Sequence, residues 1–170
     1  GTRLPGCFDP FEMSVRAVLG QQITVKAACT LAMRLATKYG DPVETPFEEL
    51  KLIFPSAQKI ANLPKPIEEQ FGALGVVGAR SRSIYALANK VADGSIDLSI
   101  DGNPHECMQI LQSLPGFGPW TANYVAMRAL SWRDAFPHTD LGIRKALPEL
   151  SAKQILELSE QWRPWRSYAA

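Results

Sequence analysis

Two glycines stand two apart in Leu114-Pro115-Gly116-Phe117-Gly118, and Pro119-Trp120-Thr121 follows at once. Apolar helical patterns lie on both sides. Glycine allows backbone angles and close approach that a Cβ blocks. The amides near Gly116 and Gly118 are the first donors of the next helix, and unpaired donors together with the helix dipole favour a phosphate there. Twenty residues beyond Trp120 comes Asp140, in a short polar break before another helix. A backbone anion site and a single carboxylate suit a protein that grips a phosphate backbone and does chemistry beside it. Spacing alone leaves blander readings open. The glycines fit an ordinary αα turn, and Asp140 fits a plain cap for the helix starting at Leu141. Trp120 and Tyr124 lie four apart, on one helical face, where core packing is the default role for aromatics.

The elements that must position these residues read as helix after helix, broken by Gly and Pro. Asp9 caps a helix through Val15, Val18 and Leu19, and Gly20-Gln21-Gln22 interrupts it. Ile23 to Tyr39 repeats Ala27, Ala28, Leu31 and Leu35 at helical spacing, with Gly40 where a C-cap belongs. Thr45 and Glu48 form a capping-box pattern with Pro46 at the first helical position. Ser56 precedes a short helix through Ile60 that must end before Pro64. Residues 68–74 read as a short helix, Gly75 and Gly78 bound a turn, and Arg80 to Val91 is a strong helix closed by Gly94. Ile96 to Ile100 alternates like a strand, but no partner strand is apparent, so an extended linker is expected. Asn103 caps a helix leading into Leu111 and Leu114. Thr121 to Leu130 follows, with Leu111, Leu114, Val125 and Leu130 as the buried seam of an antiparallel pair. Asp140 to Leu147 is short, Ser151 caps Ala152 to Trp162, and Pro164 starts a last helix. The expected fold is one all-α domain of short helices with turn-rich joints.

Composition sets bounds on partners. The 170 residues carry 18 basic and 17 acidic side chains, a net charge of +1, with 46% apolar residues. Bulk charge therefore argues neither for nor against nucleic acid, and any such binding must come from a local patch and from backbone amides. No apolar run is long enough to span a membrane, and no signal peptide opens the chain. Cys7, Cys29 and Cys107 form no metal-ligand cluster, and Cys29 reads as a buried thiol, which fits a reducing, intracellular location. His105 and His138 lack the partners of a zinc site.

Leu114 to Thr121 resembles the helix-hairpin-helix of the DNA glycosylase superfamily. Further segments are similar to its 3-methyladenine DNA glycosylase II family: Arg3 to Gly6 with Phe11-Glu12, Val15 to Gln21, Leu111 to Arg128, Asp140 to Lys145, and Trp162 to Tyr168. The resemblance covers essentially the whole chain. It implies a multi-helix glycosylase domain over 1–170, with the hairpin in 107–130 and a catalytic turn in 134–147. The family's β-rich N-terminal domain has no counterpart here, nor does the continuation of its last helix, which points to a fragment of a longer protein. The implied activity is monofunctional removal of alkylated purines such as 3-methyladenine from duplex DNA by base flipping, leaving an abasic site.

By the same resemblance Asp140 is the catalytic carboxylate, Trp120 and Tyr124 line the base pocket, and Trp165 and Tyr168 stand near its mouth as further substrate-binding aromatics. Strand-cutting members place a lysine where Trp120 stands, so no Schiff base is expected here. Gln21, Gln22, Gly116, Phe117, Gly118, Thr121, His138 and Arg144 become DNA contacts, with Gln22 at the position of the residue that fills the gap left by the flipped base. The main-chain carbonyls of Gln112, Leu114 and Gly116 match those that hold a monovalent cation, Na⁺ or K⁺, in the family. No cofactor is required, and no cysteine follows Cys107 to build the iron–sulfur cluster of some superfamily members. A monomer in a prokaryotic cytoplasm, associated with the nucleoid, is implied. Two alternatives remain at this point: a non-catalytic helix-hairpin-helix module of a repair protein, and a helical protein-interaction domain, which gives no reason for Gly116 and Gly118 together.

Overall fold

The computed structural model describes residues 3–170. Apart from one short ladder, the regular secondary structure among these residues is helical. The elements are α1 (Pro10–Leu19), α2 (Val25–Tyr39), β1 (Asp41–Pro42), β2 (Leu52–Ile53), α3 (Ala57–Ala61), α4 (Ile67–Gly72), α5 (Gly78–Ala92), α6 (Pro104–Ser113), α7 (Pro119–Arg128), α8 (Leu141–Ala146) and α9 (Ala152–Ser159). Single 3₁₀ turns follow at Glu160–Trp162 and Arg166–Tyr168. The caps fall where side-chain chemistry puts them: Asp9, Thr24, Ser56, Asn103, Asp140 and Ser151 each accept from a first-turn amide.

Helix α5 packs against α1, α3 and α4, and α1 packs against α7. Its Ile84, Leu87 and Ala88 are fully buried. Val15, Val18 and Leu19 of α1 and Val125 of α7 are buried in the same cluster. Each such side chain taken out of water contributes about 1.5–3 kcal/mol, and this burial fixes the angle at which α7 leaves the hairpin. The α6–α7 seam contains Leu111, Leu114, Val125 and Leu130, all buried.

Several elements differ from expectation. Thr45 caps no helix. Its hydroxyl accepts from Phe47 N and donates to the carbonyls of Phe47 or Leu50, closing a tight turn. Phe47 and Leu50 are exposed, so a helix there would have had no face to bury. The flanking residues instead pair as an antiparallel ladder, Asp41 with Ile53 and Pro42 with Leu52. Residues 96–100, by contrast, form no strand, as expected of a linker: Ile96 and Leu98 are buried while the backbone turns at Ser99. The segment after Pro164 makes only a 3₁₀ turn, because Ser167 N donates sideways to the Arg133 carbonyl at 2.9 Å.

The hairpin turn between α6 and α7 rests on α5. Gly116 has φ +78, and a Cβ there would lie 2.3 Å from Ser83 Oγ. Gly116→Ala is expected to lose about 1–3 kcal/mol from the backbone conformation, plus the clash. Urea unfolding measures the loss, and Ser83→Ala in the same chain recovers only the part due to Oγ. Gly118 differs: its φ is −80 and a Cβ would meet open space, so its conformation needs no glycine.

Candidate DNA-binding cleft and carboxylate

Asp140 is held at both oxygens. Oδ1 accepts from Gly142 N at 2.8 Å, which makes it the N-cap of α8, and Oδ2 accepts from Trp120 Nε1 at 2.8 Å. The capping role is therefore real, and it leaves the carboxylate half-buried on a cleft rather than in packing. The cleft, about 880 Å³, is lined by Gln21, Gln22, Gly116, Gly118, Trp120 and Asp140 among others. A narrower apolar recess of about 410 Å³ shares Ile23, Trp120 and Asp140 and adds Tyr124, Val25 and Cys29. The hairpin glycines, the α1–α2 joint and the acid thus meet in one place.

The amides of Gly116, Gly118, Trp120 and Thr121 have no hydrogen-bond acceptor among the described residues. Gly118 supplies no side-chain cap to α7. Free donors at a helix start attract an anion, and the cleft gives one room to approach.

Trp120 and Tyr124 stack on one another, with ring centroids 5.1 Å apart and planes 8° from parallel. Nothing can slide between them, so Trp120 supplies the aromatic surface nearest the acid. The Arg128 guanidinium lies over the Tyr124 ring. Asn123, on the same helix, accepts from Phe136 N through Oδ1 at 3.0 Å and so pins the loop that delivers Asp140.

Other expected site residues lie elsewhere or point inward. Phe117 is buried in the core, leaving only its backbone at the turn. Thr121 is buried as well, its hydroxyl accepting from Gln21 Nε2. His138 lines neither cavity; its N–H donates to the Phe136 carbonyl, and Thr139 stands on the cleft instead. Arg144 is exposed in the last turn of α8, outside both cavities. Trp165 and Tyr168 are not at the mouth. They line a separate cavity with Arg3, Trp132 and Arg133, and the Arg133 guanidinium sits 5.1 Å from the Trp165 ring. Their half-turn of chain is tied to the 131–135 loop, which carries them away from Asp140.

Cys29 corrects another expectation: it is exposed, on the α2 face that lines the recess, whereas Cys107 is the buried thiol. Burial, then the nearby Asp97 charge, pushes the Cys107 thiol up to about 12. A maleimide at neutral pH should label Cys29 first, Cys7 slowly and Cys107 not at all, as read by mass spectrometry of the digested protein.

Residues 15–161 match the family described as HhH-GPD superfamily base excision DNA repair protein. The chain belongs to this superfamily. It is 39% identical over 170 residues to DNA-3-methyladenine glycosylase 2 of Escherichia coli, covering 99% of this chain and 58% of that one. It is 33% identical to DNA-3-methyladenine glycosylase of Bacillus subtilis, covering 99% of this chain and 57% of the relative. A 3-methyladenine DNA glycosylase from Archaeoglobus fulgidus has a similar fold, with a TM-score of 0.77 at 26% identity, covering 96% of this chain and 56% of that one. The chain thus spans somewhat over half the length of each of these proteins. No helix among the described residues is long and apolar enough to cross a membrane.

Proposed function

We propose that this chain is the catalytic domain of a monofunctional DNA glycosylase that removes alkylated purines, 3-methyladenine among them, from duplex DNA. The observation that carries the reading is the cleft in which Asp140 faces the free amides of the hairpin turn. Those amides would hold one phosphate of the damaged strand. The target nucleotide then has to leave the stack to bring its sugar to the acid.

In the reaction the bond from C1′ to the purine nitrogen breaks and its electron pair leaves with the base. Alkylation has already made that base cationic, so it departs neutral. The deoxyribose gains positive charge at C1′, and a fixed carboxylate beside it stabilises that charge without reorganising. Water then bonds to C1′ and gives up a proton, with Asp140 positioned to orient or accept it. The two hydrogen bonds on Asp140 keep the anion in place while leaving acceptor capacity on each oxygen. A cationic purine in the recess gains from the electron-rich face of Trp120. Gln22, exposed at the cleft, is suited to fill the gap in the duplex. Because an indole has no amine, Trp120 forms no Schiff base, and the product is an abasic site in an uncut strand.

The carbonyls of Gln112, Leu114 and Gly116 are neutral oxygen donors of the kind a monovalent cation takes. Leu114 O and Gly116 O each already accept one hydrogen bond and keep a second lone pair, so they fit such an ion. When bound it would add positive charge beside the phosphate.

The test is duplex DNA carrying 3-methyladenine or 7-methylguanine. Free base should appear, and the strand should break only after later alkali treatment. Direct strand cleavage would refute the monofunctional assignment, and duplex binding without released base would identify a non-catalytic module instead.

A further inference from the structure

Gln21 sits in the joint between α1 and α2, and its side chain reaches across to the hairpin. Both N–H groups of its amide are used: Nε2 donates to the Gly116 carbonyl at 2.9 Å and to the Thr121 hydroxyl at 2.9 Å. The amide cannot be turned over, since that would set Oε1 against the Gly116 carbonyl, acceptor against acceptor. Arg80, near the start of α5, donates to the Gln21 carbonyl. Three separate parts of the chain therefore close on this one residue. Its neighbour Gln22 has φ +56 and stands exposed on the cleft. A left-handed conformation is disfavoured for glutamine and persists only where its surroundings hold it.

We infer that Gln21 is a positioning residue rather than a DNA contact: it locks the joint to the anion-binding turn and so fixes Gln22 relative to the strand held there. Thr121 belongs to the lock, since its buried hydroxyl accepts from Gln21. The kinetic consequence rests on the glycosylase reading; the lock itself does not. Without the lock the free amides of the turn still take a phosphate, so affinity for undamaged duplex is kept. What is lost is the placement of Gln22 and the cleft floor against a displaced nucleotide, a step that follows binding. A direct DNA contact would do the reverse, weakening the duplex complex whatever stands at position 121.

The test compares the parent with Gln21→Ala, Gln21→Glu, Thr121→Val and the Gln21→Ala/Thr121→Val pair. At saturating enzyme, single-turnover base release should slow by about 10- to 100-fold in Gln21→Ala, with the dissociation constant for undamaged duplex changed by less than about threefold. Gln21→Glu keeps the shape but loses the donors, and should match Gln21→Ala. Thr121→Val is milder, and the double variant is no slower than Gln21→Ala because both changes break one lock. A second readout needs no activity. In ¹H–¹⁵N spectra of the free chain the Gln21 side-chain amide should lie apart from the exposed glutamines and move on Thr121→Val. The inference is overturned if Gln21→Ala weakens duplex binding as much as it slows release, if the two losses add, or if that amide ignores Thr121→Val. A parent that releases no base would sink the glycosylase reading, and the spectra would still decide the lock.

Discussion

Asp140→Asn should fold like the parent and release alkylated purine about 10²- to 10⁴-fold more slowly. Asparagine caps a helix about as well as aspartate, so the Gly142 amide keeps an acceptor and α8 keeps its start. The indole N–H of Trp120 loses its charged partner but the side chains stay where packing holds them. What disappears is the negative charge beside C1′ and the group able to take a proton from water. The measurement is base release under single turnover, with circular dichroism and duplex binding as controls for the fold and the hairpin. A rate near that of the parent would move the chemistry to another residue.

Asp134→Ala should cost about 3–5 kcal/mol in urea unfolding, the loss typical of a buried ion pair broken by removing one member. Asp134 is buried and receives Arg166 through two bonds, Nε at 2.7 Å and Nη2 at 2.9 Å, with Arg163 on the same carboxylate. The Arg166 side chain is only 9% exposed, and the one anion it would keep is the exposed Glu160, 3.1 Å from Nη1. Ser167, next in the chain, donates to the carbonyls of Trp132 or Ala135. This network ties the last turn to the loop that runs into Asp140. Glu160 is the outer member, held below the usual glutamate range first by its hydrogen bond from Arg163. With its folded value depressed, Glu160 adds stability above the ordinary carboxylate range and loses it as acid protonates the folded form. Being exposed, it adds little next to Asp134. A loss below 1 kcal/mol in Asp134→Ala would show that the network is ornamental.

Much of this was legible in the residues because it rests on local chemistry. Caps at Asp9, Ser56, Asn103, Asp140 and Ser151, and the α6–α7 seam, follow from side chains that satisfy nearby amides or repeat at helical spacing. The Gly116 turn was legible for the same reason, although its need for glycine comes as much from Ser83, 33 residues earlier, as from φ. Features set by distant packing were not legible. Thr45 and Glu48 spell a helix start, but whether a helix has anything to bury there depends on α2 and α3. Cys29 sits in an apolar repeat whose outer edge happens to face the recess. Trp165 and Tyr168 were expected at the cleft on resemblance alone, and the ties of the 163–167 segment to the 131–135 loop carry them to another cavity. Gln21, Arg80 and Asn123 gave no local signal, since each acts on a segment far along the chain.

The central claim is that an anion fixed on the cleft meets positive charge on the sugar of a strand gripped by the hairpin. It is tested most directly by binding, with no reaction needed. Two duplexes would be compared, one with a neutral tetrahydrofuran in place of a single deoxyribose, the other with a protonated pyrrolidine ring there. The parent should bind the cationic ring at least about 10²-fold more tightly, as expected for a mimic of the charged transition state, and Asp140→Asn should bind the two alike. Equal affinity in the parent, or a preference that survives in Asp140→Asn, would contradict the account.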